Sequence, residues 1–382
     1  MEHAFCTSLR WIRILAVAAV AAACVDTSGA DVGAAKRPAG CISTAETGLA
    51  ETMAKAMGMG VNIGNTLENT AAWETGWGQP LITQTYLGGM ASHGIKTVRV
   101  PVAWNTYARD GQITSEQMAR VHEVVQWIVD TGMYAIVNIH WDGGWIDSES
   151  TPNENRLTDE VRVKFASYWT QIATAFADIG DHLVFEAMNE EGVFYVEGTS
   201  RPDYAPLNEL NQTFVTTVRN GGGYNATRAL LVSGFATDIA STCVDAFAIP
   251  CDPAGDGKLF LSLHYYTPPT FCILDQPASY GKPATTWGTD AEKAELRANF
   301  DQLAAFSAAR NIPVILGEFA VTRGTDPYVR ESASRILWIQ SVASTALANN
   351  MVPVFWDTGG DVSRIDGSLS SDVQSVVSQL GP

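Results

Sequence analysis

The sequence is poor in basic side chains and lacks the spacings that are typical of zinc sites. Its 382 residues contain 24 lysines and arginines against 41 aspartates and glutamates, which gives a formal net charge of -17 at pH 7. A surface of this sign repels nucleic-acid phosphates and anionic membranes, so we expect neither as a partner. No Cys-x-x-Cys or His-x-x-x-His spacing occurs. We therefore predict no metal and no cofactor.

A hydrophobic run long enough to cross a bilayer is also missing. The apolar stretch at 14–23 follows Arg10 and Arg13, and its ten residues are too few to span a membrane. A charged segment followed by a short apolar one is typical of a signal peptide. We predict a signal peptide at 1–23, a flexible leader at 24–44 and a secreted, monomeric mature chain. Attachment to a lipid through Cys24 is the alternative.

Cysteines are few, and export permits them to form disulfides. Cys41, Cys243, Cys251 and Cys272 remain after the predicted signal peptide. Four cysteines allow three connectivities, and the pair Cys243 with Cys251 closes the shortest loop. We prefer that pairing.

No low-complexity linker follows residue 44, which favours a single domain over 45–382. Eight apolar runs of strand length recur, rich in Val, Ile, Leu and Phe without strict alternation, as in parallel strands buried on both faces. They lie at 58–63, 97–102, 134–140, 183–189, 229–234, 259–265, 313–319 and 352–356. Helix-like segments separate them, for example 116–129, whose apolar residues share one face. Alternating βα units of this number predict a closed (β/α)8 TIM barrel.

Functional side chains of such a barrel lie at the carboxyl ends of the strands. The polar and aromatic residues at these ends are Asn62, Asn65, Arg99, His140, Asn189, Glu190, His264, Tyr266, Glu318, Trp356 and Asp357. Two of them, Glu190 and Glu318, are glutamates on nonadjacent strands. Glycosidic cleavage needs one acid to protonate the leaving oxygen and one carboxylate to attack or to activate water. The pattern therefore favours a glycoside hydrolase.

The positions of Glu190 and Glu318 along the chain support their assignment as functional residues. Asn-Glu occurs at 153, 189 and 208, but only the dipeptide at 189 ends a predicted buried strand. Glu318 follows the apolar run 312–317, where a bare charge would be costly unless it were used or paired.

Seven motifs in order resemble glycoside hydrolase family 5, the cellulase family of clan A. They are GVNIGNTL at 60–67, GIKTVRVPV at 94–102, VNIH at 137–140, FEAMNE at 185–190, HYYTP at 264–268, LGEF at 316–319 and FWD at 355–357. Their wording is most similar to that of bacterial endo-β-1,4-glucanases, which cleave with retention of configuration.

The resemblance implies a role for each matching residue. Glu190 resembles the acid/base, Glu318 the nucleophile and Asn189 the residue that bonds the sugar 2-hydroxyl. The like charge of Glu318 and partial burial are expected to raise the pKa of Glu190. Arg99 and Tyr266 resemble the residues that donate hydrogen bonds to the nucleophile. His140 and His264 match the histidines at the cleavage subsite, and Trp356 matches the aromatic platform beneath its sugar. We also expect Asn62 and Trp141 to contact the substrate. Other tryptophans in or beside loops that follow strands are further candidates for stacking on sugar rings, namely Trp73, Trp77, Trp145 and Trp287.

Two positions depart from the family pattern. The family usually has proline after the acid/base, whereas this chain has Glu191, which we expect to face solvent. Related cellulases often have a second histidine after the third strand, and here that residue is Trp141. A stacking surface thus replaces a hydrogen-bonding ring, and the adjacent subsite should differ.

Three alternatives stay open. The same machinery could cleave xyloglucan, mixed-linkage β-glucan or mannan, because loops decide specificity in this family. A metal-dependent barrel hydrolase would use His140, Glu190, His264, Glu318 and Asp357 as ligands, but its first strand typically carries His-x-His, which is absent here. A nonenzymatic sugar-binding protein would have little use for both carboxylates.

Overall fold

Eight parallel strands close into a barrel in the computed structural model, which describes residues 48–146, 157–192, 194–196, 199 and 201–380. Each strand pairs with its neighbours in chain order, and the first pairs with the last. The predicted (β/α)8 barrel is thereby confirmed. The predicted signal peptide and leader lie outside the described residues.

The strands coincide with the predicted apolar runs. They are β1 (Gly60–Ile63), β2 (Thr97–Val100), β3 (Tyr134–Asn138), β4 (Leu183–Glu186), β5 (Leu230–Ser233), β6 (Leu259–Tyr265), β7 (Val314–Phe319) and β8 (Val352–Asp357). Nearly every strand residue is buried. Helices cover the outer face of the barrel, and side chains fill its interior, so the strands need apolar residues on both faces.

Helices alternate with these strands. They are α1 (Leu49–Met57), α2 (Gln84–Ser92), α3 (Ser115–Asp130), α4 (Asp159–Ala175), α5 (Ala205–Asn220), α6 (Ile239–Thr242), α7 (Pro269–Cys272), α8 (Asp290–Arg310), α9 (Ser332–Ala348) and α10 (Ser371–Leu380). Threonine side chains cap the first turns of α3 and α4, and Thr289 with Glu292 forms a capping box on α8. Among the described residues, none of the helices combines the length and the apolar character that crossing a bilayer requires.

Helix α1 closes the barrel at the amino ends of the strands. The part of the interior that this helix contacts is purely apolar: Ala50, Met53, Ala54 and Met57 pack with the strand residues Ile136, Val184, Leu231, Phe260, Ile315, Val352 and Val354. The backbone N–H of Ala50 donates to the carbonyl of Gly257 at 2.8 Å. The Thr97 hydroxyl donates to the carbonyl of Met57 at 2.7 Å. The polar residues of the interior therefore lie at the opposite end.

The predicted pairing of Cys243 with Cys251 is wrong. Cys251 is disulfide-bonded, whereas Cys243 and Cys272 are free thiols, so the partner of Cys251 lies outside the described residues. The shortest loop is a criterion of chain entropy alone, and a disulfide also requires two Cβ atoms at the right distance and angle.

Candidate active site

The side chain of Arg99 organises the polar end of the barrel interior. It is fully buried on β2 and donates Nη1 to Glu318 Oε1 at 2.8 Å. Nη2 donates to Asn189 Oδ1 at 2.8 Å, and Nε donates to Glu186 Oε2 at 2.6 Å. Three side chains from β4 and β7 or just beyond them are thus fixed by one guanidinium.

Asn62 on β1 holds the guanidinium of Arg99 in place through hydrogen bonds. Its Oδ1 accepts from Arg99 Nη1 at 2.9 Å, and its Nδ2 donates to the carbonyl of Gly317 at 2.8 Å. The side chain has no exposed surface. Asn62 therefore holds Arg99 in place and offers no surface to a substrate, which corrects the expected contact.

Glu318 on β7 receives a hydrogen bond on each carboxylate oxygen. Besides Arg99 on Oε1, the Tyr266 hydroxyl donates to Oε2 at 2.9 Å. Burial and the like charge of Glu190 raise the pKa of Glu318, while His264, Arg99 and the Tyr266 hydrogen bond oppose that rise by favouring the charged form. The two donors expected from the sequence, Arg99 and Tyr266, are both in contact with this carboxylate.

Local backbone geometry brings His264 next to Glu318. The register between β6 and β7 shifts after Leu263, so that His264 lies opposite Glu318. Gly317 favours this arrangement, because a Cβ atom at this position would lie 3.1 Å from His264 Nε2 and from Ser262 Oγ and would push both side chains away. The glycine before the glutamate therefore makes room for the imidazole.

Glu190 follows β4 and contacts the same imidazole. Its Oε1 lies 2.8 Å from His264 Nδ1, and 13% of its side chain is exposed. Burial raises the pKa of Glu190 to about 7, opposed by Arg99 and assisted by the charge of Glu186. Burial was expected as a cause, and the expected repulsion between Glu190 and Glu318 appears as a rise in the pKa of Glu318, while the charge of Glu186 is an additional cause at Glu190 that we did not expect.

The imidazoles of the site are neutral. Burial lowers the pKa of His264 to about 4, although the charge of Glu318 acts in the opposite direction. Burial, with the charge of Arg99, also lowers the pKa of His140 well below its ordinary value. Near neutral pH the site therefore contains one cation, Arg99, among several carboxyl groups.

Aromatic rings lie at the same end of the barrel. The Trp356 ring stacks on His140 with centroids 5.7 Å apart and planes 5° apart. Gly64 allows this position, because a Cβ atom there would lie 2.9 Å from Trp356 Cζ2. Trp356 is half-buried, and Trp141 is 38% exposed. Both retain surface on which a sugar ring could stack.

Two expectations about neighbouring residues need correction. Glu191 was expected to face solvent, but it is only 4% exposed. The chain turns inward after Glu190, and the carbonyl of Glu191 accepts from Ala236 N at 2.8 Å. Trp145 and Trp287, which follow strands in the sequence and were candidates for stacking, are buried in the core.

Glu190, His264 and Glu318 are the described residues that could share a metal ion, since each offers a ligand atom within 4.8 Å of the others. A cation there would face the Arg99 guanidinium and the Tyr266 hydroxyl, both of which donate to Glu318. Asp357, a ligand in the metal-dependent alternative, accepts instead from the backbone N–H groups of its own loop. The donor set thus suits a pair of carboxyl groups better than a metal.

Comparison with known proteins places the chain in a family. The family model described as cellulase (glycosyl hydrolase family 5) matches residues 56–362. Endoglucanase B of Clostridium cellulovorans is 33% identical over 328 residues, which cover 83% of this chain and 71% of that protein. A xyloglucan-specific endo-beta-1,4-glucanase of Bacteroides ovatus is 32% identical over 330 residues, covering 79% of this chain and 64% of the relative.

A solved structure agrees with these relatives. A GH5-4 broad specificity endoglucanase from an uncultured bovine rumen ciliate superposes with a TM-score of 0.76 at 31% identity, covering 87% of this chain and 97% of that one. Barrel, carboxyl pair and relatives together define a glycoside hydrolase. The chain belongs to the cellulase family, glycosyl hydrolase family 5. The resemblance drawn from the sequence motifs and the predicted enzyme class are both confirmed.

Proposed function

We propose that this chain is a retaining endo-β-1,4-glucanase in which Glu190 is the acid/base and Glu318 the nucleophile. The observation that carries the proposal is the pair of carboxyl groups, whose nearest oxygens lie within 4.8 Å of each other. Retaining enzymes hold their carboxyl groups about 5–5.5 Å apart, whereas inverting enzymes need roughly 6.5–9.5 Å to admit a water between them. The short gap favours direct attack by a carboxylate.

The environments of the two groups match the two roles. Glu190, with a pKa of about 7, keeps its proton in mildly acidic solution and can deliver it to the leaving oxygen. Glu318 accepts two hydrogen bonds that stabilise its charged form, as a nucleophile requires. Arg99 fixes Oδ1 of Asn189, so the amide Nδ2 faces away from Arg99, as a donor to the sugar 2-hydroxyl must.

The reaction then proceeds in two displacements. A Glu318 oxygen attacks the anomeric carbon while the bond to the leaving oxygen breaks and Glu190 gives that oxygen its proton. This step forms a covalent glycosyl ester. In the second step Glu190 takes a proton from water, the water oxygen attacks the anomeric carbon, and Glu318 departs as carboxylate. Two inversions give a product with the β configuration of the substrate.

A β-1,4-glucan chain is the substrate class that the relatives favour. Several of them are named endoglucanases, and Trp356 and Trp141 offer flat faces for successive sugar rings. Xyloglucan is the second candidate, because one relative is named as specific for it. A polymer of either kind does not enter cells, so secretion forms part of the proposal. Rates on carboxymethylcellulose, xyloglucan, lichenan and mannan would separate the candidates.

Proton NMR of an early digest tests the mechanism. The β-anomer should appear first, and early accumulation of the α-anomer would refute a retaining site. Glu318→Ala should abolish turnover, whereas azide should rescue Glu190→Ala on substrates with good leaving groups and yield a β-glycosyl azide. Glu209→Ala is the matched control, because Glu209 follows an asparagine as Glu190 does but pairs with Arg162 on the surface. Activity should also persist after exhaustive chelation.

A further inference from the structure

We propose that Glu186 is a positioning residue that divides the charge of Arg99 between two carboxylates and leaves the active site with a net negative charge. The inference rests on the proposed roles of Glu190 and Glu318. Glu186 lies at the end of β4, four positions before Glu190 in the chain, and it is fully buried. It therefore acts only through its neighbours.

The contacts of Glu186 fix its orientation and its charge. Its Oε2 accepts from Arg99 Nε at 2.6 Å, and its Oε1 accepts from the Ser262 hydroxyl at 2.6 Å. Both oxygens thus act as acceptors, which is the bonding pattern of an ionised carboxylate. Arg99 donates to Glu186 through Nε and to Glu318 through Nη1, so the two edges of one guanidinium serve two anions.

Neutralising Arg99 does not require Glu186. A buried guanidinium needs one counter-charge, and Glu318 supplies it at 2.8 Å. Adding Glu186 makes two negative charges against one positive charge, while His264 and Glu190 are neutral in mildly acidic solution. The site interior then carries a net charge of about one negative unit.

The excess charge has two consequences for the proposed reaction. It favours the protonated form of Glu190, which the first displacement consumes. It also stabilises the positive charge that develops on the sugar in an oxocarbenium-like transition state. If Arg99 were paired with Glu318 alone, its charge would cancel that of the nucleophile, and both effects would be weaker. Because Arg99 also pairs with Glu186, part of the negative charge of Glu318 remains uncompensated.

Five charged or titratable groups interact with Glu190 and bear on its protonation. Arg99 lies on β2, Glu186 on β4 and Glu318 on β7. His264 lies on β6, and Tyr266 follows that strand. Arg99 favours the charged form of Glu190, and the carboxylates favour the neutral form. Glu186 is the member whose charge can be removed without removing a group that contacts Glu318.

The test is the pH dependence of kcat/KM on cellopentaose, whose poor leaving group needs an acid. Glu186→Gln keeps an acceptor for Arg99 but removes the charge. In this variant the positive charge of Arg99 is no longer shared with Glu186, so it lowers the pKa values of both Glu190 and Glu318 further. Both limbs of the profile should therefore move to lower pH, each by about half a unit to one unit. The kcat/KM at the optimum should fall at least about tenfold.

Two further variants separate charge from packing. Ser262→Ala removes a hydrogen bond to Glu186 and keeps the charge, so its limbs should stay within about 0.2 units of wild type although activity falls. Glu186→Asp also keeps the charge, and the shorter side chain should restore the position of the limbs better than it restores kcat/KM. Melting temperatures of all three variants report packing independently.

The outcomes distinguish this inference from the function on which it rests. Limbs that stay in place in folded Glu186→Gln, or that move equally in Ser262→Ala, would show that Glu186 only fills space. If Glu186→Gln does not fold, Glu186→Asp can be compared with a Glu186→Ala variant refolded at low temperature. Limbs at their wild-type pH in Glu186→Asp and displaced limbs in Glu186→Ala would support the role of the Glu186 charge. Displaced limbs in both variants would overturn it. A failure of the assigned roles would appear elsewhere, as a lack of azide rescue in Glu190→Ala.

Discussion

Removing the Tyr266 hydroxyl tests how the nucleophile is kept ionised. Tyr266→Phe deletes the donor 2.9 Å from Glu318 Oε2 and leaves the Arg99 hydrogen bond on Oε1. Hydrogen bonds to charged groups contribute about 1.5–3 kcal/mol, which corresponds to a loss of roughly ten- to a hundredfold in kcat/KM. Because Arg99 remains, we expect a value at the lower end of this range.

The pH profile gives the sign. The Tyr266 hydrogen bond lowers the pKa of Glu318, so its loss should raise that pKa and move the acid limb of kcat/KM to higher pH. A loss of about 1.4 kcal/mol corresponds to about one pH unit. The alkaline limb reports Glu190, which contacts His264 Nδ1 at 2.8 Å, and because Glu318 loses its donor directly the alkaline limb should move less than the acid limb.

The neighbouring tyrosine is the matched control. Tyr265 is buried on the outer side of β6, where its hydroxyl accepts from Asn299 Nδ2 at 3.2 Å and its ring packs against Trp338. Tyr265→Phe should lower the melting temperature and leave both limbs in place. An acid limb that stays at its wild-type position in Tyr266→Phe, or that moves equally in Tyr265→Phe, would refute the reasoning.

Three other predictions concern the surroundings of the site. Trp356→Ala should reduce kcat at least about tenfold while the melting temperature changes little, since ring stacking contributes only about 0.5–1.5 kcal/mol. Kinetics and calorimetry on the same variant test this, and a large fall in melting temperature with little change in kcat would show that the ring mainly fills the core. In the present structure Asp142 accepts hydrogen bonds from backbone N–H groups, and Asp142→Asn would place an amide N–H₂ against them at a cost of about 1–3 kcal/mol. The loop of Trp141 should loosen as a result, and KM should rise several-fold. In unfolded, unreduced protein, alkylation should label Cys243 and Cys272 but spare Cys251, and a label on Cys251 would contradict the disulfide.

The fold could be predicted because its signals are local. Each strand is a short apolar run, and the structure places all eight within two or three residues of the predicted ends. The predicted runs extend two or three residues past the ends of β2, β3 and β4. Backbone hydrogen bonds still link some of these residues to neighbouring segments, as from His140 N–H to the carbonyl of Val102 and from Ala187 N–H to that of Leu231, so an apolar run alone does not mark where the strand ends.

The errors in the site are pairings between residues far apart in the chain. Glu186 was passed over although it lies inside a quoted motif, because its partner Arg99 is 87 positions away. A glutamate inside a predicted buried strand was the available signal, since a charge there must be paired. The burial of Glu191 and the state of Cys251 depend likewise on segments that meet only after the barrel has closed.

Helix α1 at the closed end of the barrel has a consequence for the chemistry at the open end. Arg99, Glu186 and Glu318 act strongly on one another because water is excluded from the interior, and the local dielectric constant is correspondingly low. The carbonyl of Met57 is tied to Thr97, two residues before Arg99 on the same strand. If α1 undocks on heating, water enters from below and weakens each of these charge interactions while the barrel is still folded. The temperature at which activity is lost should therefore follow the docking of these nine residues and precede global unfolding.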